Sequence, residues 1–246
     1  MKYLFILIFS VSTLFSQESV TIFGNFYKPP KVWTKDGKHY GILVEVLREV
    51  EKELDVKFTM QTYPWARSYK MALAKKGGIV GISLTQKRKE LFDFNKIPLF
   101  LDTMVLITKK GKEFKFESLE DLKGKKVGYC RGCNFGAVFE EAKNYFISVE
   151  TDDSREQRLK LLLNGKIDAA LLGPGSFALA TISKESELFS YDDFSVLKKP
   201  LVVDPNYLAF SKALNKKEFL EKFDKVLQKK VDDGTVSKII ENLTKM

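Results

Sequence analysis

Histidine, cysteine and proline are scarce in this sequence: one His, two Cys and seven Pro in 246 residues. A single histidine, His39, rules out a His-rich metal centre. Unless His39 is itself the base, it also rules out Ser-His-Asp and Cys-His catalysis. Beside Tyr40 in a polar turn, it reads as a solvated side chain. Two cysteines cannot staple a disulfide-dense mini-scaffold, and with one His they make a poor zinc or haem site. No GxGxxG follows a strand and there is no Walker lysine loop, so a nucleotide cofactor has no signature. No cofactor or metal is expected. Beyond the N-terminus, no apolar run is long enough to cross a bilayer. With 44% apolar and 30% charged residues, the disordered, collagen-like and low-complexity classes are excluded.

What is present begins with MKYLFILIFSVSTLFS (1–16). One positive charge, a short apolar run and then small and polar residues read as a cleavable signal peptide, so the mature chain is expected to be exported. Its removal would take away Lys2 alone and lower the formal net charge from +9 to +8. A basic balance suits nucleic acid, a Lys-rich solvated surface or anionic ligands. The stretch KKGKEFKFE (109–117) does interleave Lys with Phe, as a nucleic-acid strip would. Its position between two patterned halves makes it a solvated connector instead, and no nucleic-acid partner is expected.

The halves alternate strands and helices. Val20–Phe23 is β-rich, residues 24–41 form an aromatic and turn-rich loop, and Leu43, Val46, Leu47, Val50 and Leu54 recur at helical spacing. A strand at 56–63, a helix from Pro64 to Ala74, a buried strand at 79–83, a helical turn from Thr85 and a strand at 104–108 follow. The pattern restarts with a short helix at 118–121, strands at 126–130, 147–151 and 167–172, and helices at 135–145 and after Ser154. A strand at 207–210 and two amphipathic helices end the chain. This predicts an α/β fold of two lobes, each a sheet covered by helices. Lobe 1 comprises 17–108 plus 204–246 and lobe 2 comprises 109–203, with crossings near 108–111 and 199–203. A small ligand would bind in the crevice between them.

Three segments carry chemistry. In GISLTQKR (81–88), a buried strand delivers Gly81 and Ser83 to its end, and Arg88 follows an N-cap at Thr85. A cation in a helix's first turn is opposed by the helix dipole, and its placement is better explained if an anion sits there. YPWARS (63–68) puts Arg67 in another first turn beside Trp65. Core packing for Trp65 and plain surface positions for both arginines are the competing readings. VGYCRGCNFG (127–136) would point backbone N–H groups of Cys133, Asn134 and Phe135 at the cleft. It also holds Cys130-x-x-Cys133, read as a structural disulfide or two packed thiols rather than a redox pair.

Together with the aromatic-Pro loop, GILVEV (41–46), SLEDLKGKKVG (118–128), GKIDAALL (165–172) and DDGTVSKIIENL (232–243), these segments resemble, in order and over nearly the whole mature chain, the extracellular solute-binding proteins of family 3. These are the periplasmic receptors of polar amino-acid ABC transporters. PWAR (64–67) is similar to a less characterised branch. The resemblance implies a type II periplasmic-binding fold, a small-molecule ligand, an inner-membrane permease partner, a monomer and no enzymatic activity. It implies that Arg88 meets a ligand carboxylate, with Gly81 and Ser83 as strand-end contacts. Cys133 and Asn134 would contribute from the second lobe, and Tyr27 and Trp33 would cover the ligand. The acid that holds an α-ammonium in the family would fall five positions after Asp168, where this chain has Gly173, so its ligand is expected to gain little from an amino group. A ligand-sensing lobe, a dehydratase-like enzyme and a thiol-disulfide protein remain alternatives on this sequence.

Overall fold

A computed structural model describes residues 18–54, 56–151 and 154–244. The segment read as a signal peptide lies outside the described residues. The first half runs β1 (Glu18–Asn25), β2 (Tyr27–Lys28), β3 (Val32–Lys35), β4 (Lys38–Tyr40), α1 (Ile42–Glu51), β5 (Val56–Tyr63), α2 (Trp65–Leu73), β6 (Gly78–Ser83), α3 (Gln86–Leu91), β7 (Phe92–Phe94) and β8 (Phe100–Lys109). The second continues β9 (Lys126–Cys130), α4 (Ala137–Ala142), β10 (Ile147–Thr151), α5 (Arg155–Leu163), β11 (Ala169–Leu172), α6 (Gly175–Glu185), β12 (Phe194–Val196) and β13 (Val202–Ser211), then α7 (Lys217–Asp232) and α8 (Thr235–Thr244). Among the described residues no helix is long and apolar enough to cross a membrane.

Parallel strands form the middle of each lobe. β1 lies between β5 and β6 in the first, and β9 between β10 and β11 in the second. Apolar clusters cover both faces of each sheet. In lobe 1, α1, α7 and α8 pack on one face, while Ala72 of α2 packs with Phe23 and Phe92 on the other. In lobe 2, Phe139 of α4 joins one cluster, and Leu159 of α5 with Leu179 of α6 joins the other. The strand order is β10-β9-β11-β8-β13-β6-β1-β5, so the two lobes share one continuous sheet.

The link is the antiparallel pair β8 and β13. β8 faces β13 over Phe100–Met104 and then faces β11 and β12 from Val105 onward. The change of partner therefore falls near Met104, inside a ten-residue strand, rather than in the polar connector at 108–111. β13 likewise starts at Val202 and runs through Asp204-Pro205, ahead of the strand expected at 207–210. Proline is tolerated because β6 pairs β13 only from Asn206 onward, so no ladder bond is lost on that side at Pro205. Two other expectations change. The loop at 24–41 contains a small antiparallel sheet, β2-β3-β4. The stretch after the strand at 167–172, given no element in the sequence, forms α6, which Gly173-Pro174 leads into directly.

Candidate functional site

A cavity between the lobes is lined by Gly81, Ser83, Trp65 and Arg88 from lobe 1 and by Cys133, Asn134 and Gly173 from lobe 2. Gly81 has φ +78° and an added Cβ would meet Leu43 Cδ1 at 2.9 Å, so backbone alone fits this wall. Arg88 enters through α3, where Thr85 Oγ1 accepts from Arg88 N at 3.2 Å. The side chain is only 8% exposed. Its Nη1 donates to Ser83 O at 2.9 Å, and its guanidinium carbon lies 5.8 Å and 5.7 Å from the ring centroids of Trp65 and Tyr69. Burial pushes the Arg88 pKa down, while Tyr69, Asp204 and Glu140 pull it up. Arginine stays protonated in proteins, so this is a fixed cation, braced by aromatic rings, in the cavity wall.

Not all the residues singled out in the sequence reach this cavity. Trp33 does not line it. Side chains alternate along a strand, and Val32 takes the cavity side while Trp33 stacks on Tyr40 with centroids 5.9 Å apart. Arg67 is exposed, with its guanidinium 4.1 Å from the Tyr63 ring centroid. Helical geometry puts Trp65 and Tyr69 on one face of α2 and turns Arg67 away from it. Tyr27 lines a neighbouring cavity and donates from its hydroxyl to Glu185 Oε2 at 2.6 Å, across the lobes.

Cys130 and Cys133 are joined by a disulfide. α4 begins only at Ala137, so Cys133 and Asn134 sit in the loop before it rather than in its first turn. The Cys133 N–H is already spent on Cys130 O at 3.1 Å. Asn134 turns inward on its own loop, accepting from Gly136 N at 2.9 Å and donating to Glu140 at 2.6 Å.

The sequence reading missed the acids and further cations of the same cavity. Asp102 and Asp204 are Cα partners in the β8–β13 ladder, and each is 2% exposed. Lys31 Nζ donates to Asp102 Oδ2 and, at 3.0 Å, to Asn206 Oδ1. Ser83 Oγ donates to Asp204 Oδ2 at 2.6 Å, and Asn206 Nδ2 donates to the same oxygen at 3.1 Å. Burial, helped by the charge of Asp102, pushes the Asp204 carboxyl up to about 6, against Ser83, Lys31 and Arg88. Arg155 also lines the cavity and ties the lobes together. Its Nη1 donates to Pro29 O at 2.9 Å and its Nη2 to Gly173 O at 2.7 Å. Arg158 donates to Thr151 Oγ1 at 3.2 Å. A signal for the acids did exist: Asp102 interrupts an apolar run, PLFLDTMVLI, that otherwise reads as a buried strand. Among the described residues no group of His, Cys, Asp and Glu could hold a metal ion.

Two α/β lobes on a shared pair of strands, with a polar cavity between them, define a two-lobed solute-binding protein of the type II fold. The chain belongs to the bacterial extracellular solute-binding proteins, family 3, whose model matches residues 20–245. It is 27% identical over 217 residues to Probable amino-acid-binding protein YxeM of Bacillus subtilis (strain 168), covering 86% of this chain and 78% of that protein. It is 28% identical over 148 residues to L-cystine-binding protein TcyJ of Escherichia coli (strain K12), covering 59% of this chain and 55% of the other. Among solved structures it resembles AbpA, an amino acid ABC transporter substrate-binding protein from Streptococcus pneumoniae bound to L-arginine. The TM-score is 0.71 at 24% identity, with 93% of this chain and 95% of that chain covered.

Proposed function

We propose that this protein captures a small solute of the amino-acid class between its lobes and delivers it to an inner-membrane ABC transporter permease. It works as an exported periplasmic monomer without catalytic activity. The observation that carries the reading is Arg88: a buried guanidinium at the end of β6, held by Ser83 O and two aromatic rings and facing the inter-lobe cavity. Its geometry suits a carboxylate, which a guanidinium grips with paired, charge-assisted hydrogen bonds. The names of the relatives support the amino-acid class. The moving units proposed are the two lobes, divided within β8 near Met104 and near the start of β13 at Val202, swinging about these strands as they close on the solute.

The test is calorimetry and thermal shift with the standard L-amino acids and L-cystine on the wild type and on Arg88→Ala. Truncating the guanidinium should leave a desolvated carboxylate without its partner and cost roughly 2–5 kcal/mol, a loss of some 30-fold to several thousand-fold in affinity. Arg88→Lys should recover only part of this, because a point charge does not replace the paired fork. Full affinity in Arg88→Ala, or no binding by any member of the panel to the wild type, would overturn the reading.

A further inference from the structure

Asp102 raises a question that the protein does not answer with its own groups. Its side chain is buried, it lines the cavity, and Lys31 takes one carboxylate oxygen, Oδ2. The other oxygen, Oδ1, has no hydrogen-bond partner among the described residues. A buried carboxylate oxygen without a donor is costly, more so than a neutral acceptor. The neighbourhood deepens the imbalance. Asp204 stands directly across the ladder, where like charges repel. Among the described residues Lys31 is the one ammonium hydrogen-bonded to either acid.

Gly173 explains how Asp102 reaches this place. A Cβ at 173 would lie 2.5 Å from Asp102 Oδ1 and 2.2 Å from Met104 Sδ. The carboxylate from β8 therefore occupies the space that a side chain at the end of β11 would need. Glycine at 173 and aspartate at 102 are two halves of one arrangement: the missing side chain makes room for an acid delivered by the crossing strand.

Taking the proposed amino-acid reading as its basis, we infer that Asp102 Oδ1 is the acceptor for the protonated amine of the solute, so that the cavity selects zwitterions over their deaminated counterparts. Arg88 receives the carboxylate and Asp102 the ammonium, with Ser83 lying between the two walls: its carbonyl takes Arg88 and its hydroxyl takes Asp204. A zwitterion would match each end, its carboxylate at the Arg88 guanidinium and its ammonium at the open oxygen of Asp102. This reverses the expectation, drawn from Gly173, of a ligand indifferent to its amino group.

The experiment is calorimetry with two pairs of probes, L-cystine against dithiodipropionate and L-arginine against guanidinovalerate, on wild type, Asp102→Asn and Asp204→Asn. In the wild type, the amino form of whichever pair binds should be favoured by roughly 30-fold or more. Asp102→Asn should reduce that preference to a few-fold, chiefly by weakening the amino form, and Asp204→Asn should reduce it less. Should Asp102→Asn fail to fold, the wild type decides with a third probe of each pair, the N-acetylated amino acid, which should bind no better than the deaminated acid. Equal wild-type binding of the amino and deaminated probes would overturn this inference while leaving the carboxylate reading intact. So would a preference that survives Asp102→Asn. Should neither pair bind, the amino acid that binds in the wider panel and its deaminated acid take their place; failure of the whole panel would overturn the two together.

Discussion

Asp204 is a buried carboxyl whose pKa rises from an ordinary value of 3.8 to about 6, chiefly because burial penalises its charge. Asp102 across the ladder adds to the rise, while Ser83, Lys31 and Arg88 oppose it. The native state thus holds this proton more tightly than the unfolded chain does. The contribution to stability is fully present below about pH 4 and is lost as the pH climbs through 6. A shift of this size corresponds to about 3 kcal/mol. Urea unfolding of the ligand-free protein should therefore show Asp204→Asn gaining on the wild type by about that amount between pH 4 and pH 7. A stability difference that stays flat over this range would show that Asp204 does not titrate there. Its neighbour Ser83 was identifiable from its place at a strand end. Asp102 left a trace as a lone acid in an apolar run, but its pairing was not legible, because nothing in a linear sequence says that residues 102 and 204 lie side by side.

Among the elements, α7 shows how the C-terminal tail is tied back to lobe 1. Its apolar stripe of Leu220, Phe223 and Leu227 is fully buried, and Asp224 rides on the same face. That carboxylate accepts from Lys96 N at 2.8 Å, Ile97 N at 3.1 Å and Asn95 Nδ2 at 3.0 Å. Asn95 Oδ1 in turn accepts from Leu208 N at 2.8 Å, so helix, loop and β13 share one network. Asp224→Ala leaves these donors buried without an acceptor and should cost roughly 2–4 kcal/mol in thermal or urea unfolding. A loss under about 1 kcal/mol would mean that apolar packing alone holds α7. Elements with strong periodicity were readable in advance: β5, β9 and β10 fall at the expected residues, as does the Ser154 cap, whose Oγ accepts from Gln157 N at 3.1 Å. Short or disguised elements were not. The strands of the small sheet have two to four residues, too few to show an alternation. α6 hides behind glycine and proline at its start, although a proline just before a helix is compatible with its first turn.

At the scale of the whole molecule, hydrogen bonds from Arg155 to Pro29 O and from the Tyr27 hydroxyl to Glu185 join the lobes. Burial and the Glu185 carboxylate raise the Tyr27 pKa to about 12, so near neutral pH the phenol keeps the proton it donates. If these contacts hold the closed form, Tyr27→Phe should weaken solute binding by roughly 0.5–1.5 kcal/mol, a few-fold to tenfold. The change should appear in dissociation rather than association when followed by stopped flow with whichever amino acid binds the wild type. An unchanged dissociation rate would show that the tyrosine does not latch the lobes.

The ladder that places Asp102 opposite Asp204 has a consequence for the order of events. Both acids sit on the pair of strands proposed as the pivot, and points on a pivot keep their spacing while everything beyond them swings. Arg88 would travel with one lobe and the Gly173 carbonyl with the other, but the two acids would keep their spacing whether the jaws are wide or shut. If Asp102 receives the amine as inferred, a visiting molecule is sampled for its cationic end before any closure takes place. One that lacks it drifts away from an open mouth, and the swing is kept for visitors that have already passed inspection at the axle.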